Sequence, residues 1–135
     1  MKVKWRRLAA AFLAAAGLIA LGVALAPPHA QYAASDGFAE IAVAGLPPEA
    51  RATIRLIKQG GPFPYERDGI VFRNFEKRLP MRERGYYHEY TVPTPGERGR
   101  GARRIVAGRG GELYYTADHY RSFARVREDP PTVER

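Results

Sequence analysis

Tyr86-Tyr87-His88-Glu89-Tyr90-Thr91-Val92 is an aromatic, β-prone run with one carboxylate at its centre, and its reading decides the fold. Aromatic and β-branched residues fit the pleated, half-buried surface of a strand. Along a strand successive side chains alternate faces, which puts Tyr87, Glu89 and Thr91 on one side and Tyr86, His88, Tyr90 and Val92 on the other. Taken alone, the ordinary place for Glu89 is the solvated face of a half-covered strand. A catalytic reading has to find its partners elsewhere in the chain.

Strand and turn signals continue on both sides of this run. Upstream, Asp68-Gly69 breaks the chain before a short strand, Ile70-Val71-Phe72, that passes into the loop Arg73-Asn74-Phe75-Glu76. Downstream, a turn built from Pro93, Pro95, Gly96, Gly99 and Gly101 leads to a strand at Arg104-Ile105-Val106-Ala107. A second turn, Gly108 to Gly111, precedes Leu113-Tyr114-Tyr115-Thr116, and a bend at Asp118-His119-Tyr120 precedes a last strand from Ser122 to Val126. Phe38 to Val43 is a short apolar run suited to a first strand. Between it and the rest, Leu46-Pro47-Pro48-Glu49 opens a helix that runs through Lys58 to Gly60-Gly61. Proline suits the first turn, Glu49 the positive end of the helix dipole, Lys58 the negative end, and glycine the stop. Ala50, Thr53, Ile54 and Ile57 fall on one stripe. The expected fold class is therefore α+β: one α-helix packed on a four- to five-stranded antiparallel β-sheet.

The N-terminal segment is of a different kind. Lys2, Lys4, Arg6 and Arg7 precede an uncharged apolar run from Leu8 to Ala26, the order of a secretory signal. The run is longer than an ordinary signal core and approaches the length that spans a bilayer, and Ala24-x-Ala26 is followed by Pro27-Pro28. Residues 1–34 are expected to be a signal peptide or an uncleaved membrane anchor plus linker, and residues 35–135 the functional domain. Secretion is expected, with membrane anchoring as the alternative. The four basic residues of this segment account for half of the net charge of +8, so the domain itself is moderately basic and suits a polyanion. The absence of cysteine excludes disulfides, thiol chemistry and Cys-ligated metal.

Four features carry chemistry. Arg98, Arg100, Arg103 and Arg104 crowd a glycine-rich turn that could clamp phosphate, or simply be a solvated basic turn. His119, beside Asp118, can exchange protons near neutral pH, although a lone histidine, like His88 and His29, more often has no such task. Glu76 follows Asn74 in a loop, where most acids are decoration. The tyrosines belong to a core or stack on bases. One Glu, one His and several Arg are the minimum for cleaving RNA without metal: a base takes the 2′-hydroxyl proton, an acid protonates the departing 5′-oxygen, and cations stabilise the added charge. HExxH, GxSxG and Walker A patterns are absent from the sequence, and no cofactor is expected.

Leu46-Pro47-Pro48-Glu49-Ala50, Gly61-Pro62-Phe63-Pro64-Tyr65, Asp68 to Phe72, Gly85 to Val92, Arg103-Arg104-Ile105 and Tyr114 to Tyr120 together resemble the microbial guanyl-specific ribonucleases. The similarity is to the ribonuclease Sa branch, with barnase more distant, and spans about Ile41 to Val126. It implies a helix on an antiparallel sheet and an endoribonuclease acting on single-stranded RNA. By the resemblance Glu89 is the general base and His119 the general acid, Arg100 and Arg104 bind and stabilise the phosphate, and Tyr120 contacts it. Guanine recognition maps onto Phe72 to Glu76: the Glu76 carboxylate accepts from N1 and N2 of guanine, the N–H groups of Arg73, Asn74 and Phe75 face O6 and N7, and Phe72 supports the base. The products are a 2′,3′-cyclic phosphate and then a 3′-phosphate.

The resemblance also implies a barstar-like proteinaceous inhibitor as a partner, and a monomer is expected. Three departures stand out. The disulfide of the nearest branch would fall at Ala42 and Pro130; Phe75 replaces an arginine; and the segment between Ala107 and Tyr114 is one residue shorter. The alternative function is a membrane-tethered RNA- or surface-binding domain with little catalytic activity.

Overall fold

In the computed structural model, which describes residues 37–128, Pro48–Gln59 forms the helix α1. Pro48 occupies the first turn, where no intrahelical N–H is needed, and Glu49 and Lys58 complement the dipole at either end. Gly60 ends it in the left-handed conformation (φ 78°), from which its N–H and that of Gly61 reach back to the carbonyls of Ile57 and Leu56. Ala50, Thr53 and Ile54 are buried and Ile57 packs at the edge of the same core, as the stripe predicts.

Six strands follow the expected order along the chain: β1 (Ala39–Ala42), β2 (Ile70–Phe72), β3 (Tyr87–Thr91), β4 (Arg104–Gly108), β5 (Leu113–Thr116) and β6 (Ala124–Arg127). They form one sheet in the order β1-β6-β5-β4-β3-β2. The α+β class holds, but the expectation of four or five antiparallel strands is corrected in count and in direction. From β2 to β6 the chain is an antiparallel meander, while β1 pairs in parallel with β6, Ala39 opposite Ala124 and Ala42 opposite Arg127. The reason is topological. After β1 a 3-10 turn (Val43–Gly45) and α1 carry the chain across the sheet to its other edge, so the first strand can pair only with the last. No local pattern near residue 40 encodes a partner near residue 125. Residues 1–34, expected to be a signal or anchor segment, and Pro130 lie outside the described residues.

The two faces of the sheet differ. Under α1, Leu46, Ala50, Ile54, Val92, Ile105, Leu113 and Val126 form one apolar cluster. On the opposite face Leu79, Tyr87, Val106 and Tyr114 form a second, closed over by Phe38, Phe72, Tyr86, Tyr120 and Phe123 from the sheet edges and loops. Tyr87, Glu89 and Thr91 all point to this second face and are all buried. The alternation read from sequence holds from Tyr87 to Val92, but Tyr86 lies before the strand begins and packs on the same cluster as Tyr87, and the solvated-face position for Glu89 is not correct: Tyr120 and Arg100 cover that side.

Candidate active site

Glu89 sits in the middle of β3, between Ile70 on β2 and Val106 on β4, and is only 7 % exposed. Its carboxylate is met on both oxygens. The Tyr120 hydroxyl donates to Oε2 at 2.7 Å, and the Arg100 guanidinium lies 3.3 Å from Oε1. A carboxylate removed from water is costly unless its oxygens are partnered in this way. Burial first, and then the bond to Glu89, push the Tyr120 hydroxyl up to about 12 against the opposing pull of Arg104, so Tyr120 is a donor throughout the neutral range.

The next row of the same face fixes these groups. Thr91 hydroxyl accepts from Arg100 Nε (3.0 Å), Thr91 N–H donates to Asp68 (2.7 Å), and Thr91 carbonyl lies 3.2 Å from the Thr53 hydroxyl of α1. One residue thus ties the helix, the Asp68 loop and Arg100 to the strand that carries Glu89. Arg104, opposite Thr91 on β4, is 2 % exposed. Its Nη1 is held by the carbonyls of Gly101 (2.9 Å), Arg103 (2.8 Å) and Arg100 (3.3 Å), and its Nε has no partner among the described residues. Gly101 allows this close loop: it has φ +60°, and a β-carbon there would come within 2.8 Å of Thr94 Oγ1. A buried guanidinium pinned through one nitrogen keeps its remaining donors for an anion.

His119 and Tyr120 are consecutive non-glycine residues in the left-handed region (φ 55° and 68°), which costs of order 1 kcal/mol each. The surrounding bonds hold them there. Tyr120 N–H donates to Thr116 Oγ1 (3.0 Å), and His119 N–H to the Ala102 carbonyl (3.0 Å). The Asp118 carboxylate accepts from Thr116 Oγ1 (2.9 Å), Ser122 N–H (2.9 Å) and Ser122 Oγ (2.6 Å). Those bonds, the Ser122 hydroxyl foremost, hold its pKa down at about 2. The result is an exposed imidazole whose ring lies 4.8 Å from that of Tyr120.

A cleft of about 540 Å³ joins Glu89 and Tyr120 to the whole Phe72–Glu76 segment, and its wall is completed by Ile70, Phe123, Arg67, Arg78 and Arg84. Phe72 stacks at 5.1 Å on Tyr120. Asn74 is left-handed (φ 52°) and clamps Leu79 with both side-chain atoms, 3.0 Å to its N–H and 2.8 Å to its carbonyl, which fixes the loop. Glu76 is exposed and paired with Arg78 at 2.8 Å. His119, Arg100 and Arg104 border Glu89 and Tyr120 and do not line this cleft. His88 faces the other side of the sheet.

Sequence reasoning missed Arg67, Arg78, Arg84, Thr91 and Phe123. Thr91 was findable, since it shares the alternation of Glu89. The arginines were not, because loops distant in sequence bring them together.

A family model for ribonucleases matches residues 29–127. The chain is 57 % identical over 89 residues to guanyl-specific ribonuclease St of Saccharopolyspora erythraea, covering 66 % of this chain and 88 % of that protein. It is 54 % identical over 87 residues to guanyl-specific ribonuclease Sa of Kitasatospora aureofaciens, covering 64 % and 91 %. Among solved structures, ribonuclease Sa2 in complexes with mononucleotides superposes with a TM-score of 0.66 at 49 % identity, over 69 % of this chain and 95 % of that one.

Proposed function

This chain belongs to the microbial guanyl-specific ribonuclease family and is an endoribonuclease that cleaves RNA after guanosine; from that premise we propose how its own residues carry out the reaction. The observation that carries the reading is the continuity of one cleft from the Phe72–Glu76 loop to the buried, doubly contacted carboxylate of Glu89. A guanine seated against Phe72, with Glu76 turned from Arg78 to its N1 and N2 hydrogens, brings its ribose toward Glu89. The N–H groups of Arg73, Asn74 and Phe75 meet O6 and N7. Adenine offers neither the donor pair nor O6.

Glu89 takes the 2′-hydroxyl proton, the freed oxygen attacks phosphorus, and the 5′-oxygen leaves with a proton from His119. Arg104, through the nitrogens not held by the loop carbonyls, and Arg100 carry the charge that builds on the phosphoryl oxygens, and the Tyr120 hydroxyl turns its one hydrogen from Glu89 to the same group as that carboxylate takes up the proton. Water then opens the 2′,3′-cyclic phosphate with the two proton-transfer roles exchanged. The protein acts on single-stranded RNA, because the base must enter the cleft unpaired. Export by the N-terminal segment, retention there if the segment is uncleaved, and a barstar-like inhibitor with an acidic surface facing these arginines complete the proposal.

The test is cleavage of GpU and ApU by the full chain, with guanosine 2′,3′-cyclic phosphate as the diagnostic product. GpU turnover with a bell-shaped pH profile, undiminished by chelator, is expected. Binding of RNA without turnover would overturn the reading and favour a membrane-tethered binding domain.

A further inference from the structure

The loop that lines the cleft has a second side. Phe72 is committed inward, its ring 5.1 Å from Tyr120 and 6.0 Å from Phe123. Phe75, three residues on, is 79 % exposed and has no ring neighbour among the described residues; only the Arg73 guanidinium stands over it, at 5.6 Å. An exposed aromatic is by itself ordinary. This one stands between two clefts. The first holds Glu89; the second, of about 310 Å³, is lined by Arg73, Phe75, Arg82 and Arg84 with edges of Phe72 and Tyr87.

The second cleft is positively charged. Among the described residues its one carboxylate, Glu83, lies 2.9 Å from Arg109 outside the cleft, and Arg73 and Arg84 have no carboxylate partner. Its floor is rigid as well, since the Asn74 clamp on Leu79 holds the Arg73–Phe75 turn in place. An exposed aromatic ring on a held turn beside uncompensated arginines is the equipment that single-stranded nucleic acid uses: the ring stacks a base, and the arginines draw its phosphate.

We propose that this second cleft binds the nucleotide immediately 5′ of the cleaved guanosine, with its base stacked on Phe75 and the linking phosphate drawn by Arg73 and Arg84. The proposal deepens the ribonuclease reading and rests on it. Direction follows from Glu89: the 2′ and 3′ oxygens of the seated guanosine face that carboxylate, so its 5′ side leaves the first cleft on the side away from it. The second cleft lies across the Phe72–Phe75 segment, and Glu89 does not line it. Stacking reads no hydrogen-bond pattern, so the site accepts any base and favours purines.

The experiment compares kcat/KM for GpU, CpGpU and ApGpU in the full chain and in Phe75→Ala and Phe75→Trp. In the unsubstituted chain ApGpU is cleaved roughly tenfold more efficiently than GpU, the size expected of one stacked base, and mainly through KM. Phe75→Ala shrinks the ApGpU/GpU ratio to about twofold or less, and Phe75→Trp keeps it. Equal values for ApGpU and GpU in the unsubstituted chain, or a ratio undiminished in Phe75→Ala, overturns the subsite. GpU itself is a separate readout: failure to cleave it defeats the ribonuclease reading, and where GpU is cleaved the ratio alone judges the subsite.

Discussion

The two faces of the sheet bury comparable numbers of side chains by different means. Under α1 the contacts are apolar, from Leu46 and Ile54 to Ile105 and Val126, apart from the Thr53 hydroxyl on the Thr91 carbonyl, and are held mainly by area removed from water. On the far side an apolar patch around Tyr87 and Tyr114 borders a buried polar row of Glu89, Thr91, Arg104 and Thr116. That row is held by directed hydrogen bonds, beside two left-handed residues that the bonds keep in place. A buried polar group returns little net stability and is costly when left unpaired. The difference therefore separates tasks: one face supplies most of the stability, and the other places charge and donors where the proposed reaction would use them.

The largest effect that would break this separation comes from Glu89→Gln. Gln keeps the volume and an acceptor for Tyr120 while removing the proposed base, so kcat/KM on GpU is expected to fall about 10²- to 10⁴-fold with near-wild-type circular dichroism. A fall in melting temperature that accounts for the lost activity would show that the polar row is structural and that the two faces do not divide the work.

On the helix face the expected outcome is the reverse. Ile54→Ala empties a site 3 % exposed, in the cluster on the opposite face of the sheet from Glu89, and should cost about 2–5 kcal/mol in urea unfolding. The folded fraction should cleave GpU within about twofold of wild type, because no side-chain hydrogen bond of the site runs through Ile54 and the two share no partner. A comparable loss in kcat/KM at a temperature where the variant is folded would couple the faces.

Legibility in the sequence followed the same division. The helix face could be read residue by residue, since a 3.6-residue stripe and a two-residue alternation are local consequences of burial on one side. The Glu89 face could be read only in part. Alternation put Glu89 with Tyr87 and Thr91, but their burial depends on loops carrying Tyr120 and Phe123, some thirty residues away. Likewise, the parallel partner of β1 is set by the helical crossover and not by anything in Ala39–Ala42. Resemblance to a family supplied the grouping of Glu89, Glu76 and His119. For Phe75 it implied a backbone N–H toward guanine and a departure from arginine, but not where the ring lies: exposed, between two clefts.

Within the cleft, Glu76 sharpens the comparison because it is polar and exposed, unlike Glu89. Its pair with Arg78 is solvent-facing and worth well under 1 kcal/mol, so Glu76→Ala should leave the unfolding midpoint unchanged. Discrimination between GpU and ApU should fall about tenfold or more, the value of one bidentate base contact. Unchanged discrimination would move guanine recognition to the loop N–H groups alone.

The smallest effect lies at Asp118, where the bonds that hold the His119-Tyr120 bend also bear on stability. The carboxylate's folded pKa of about 2 lies below its ordinary value near 4, so the folded state binds the proton less readily than the unfolded chain. Its contribution is then complete above about pH 4 and is lost as the pH falls toward about 2. Asp118→Asn cannot ionise, so urea midpoints measured between pH 5 and 2 should decline less steeply than those of the parent. Ile54→Ala, lowered overall, should keep the parent's slope. If Asp118→Asn instead keeps that slope, the acid sensitivity belongs to other carboxylates. If the slope flattens and cleavage of GpU drops as well, the same three bonds hold both the fold of the bend and the geometry of His119.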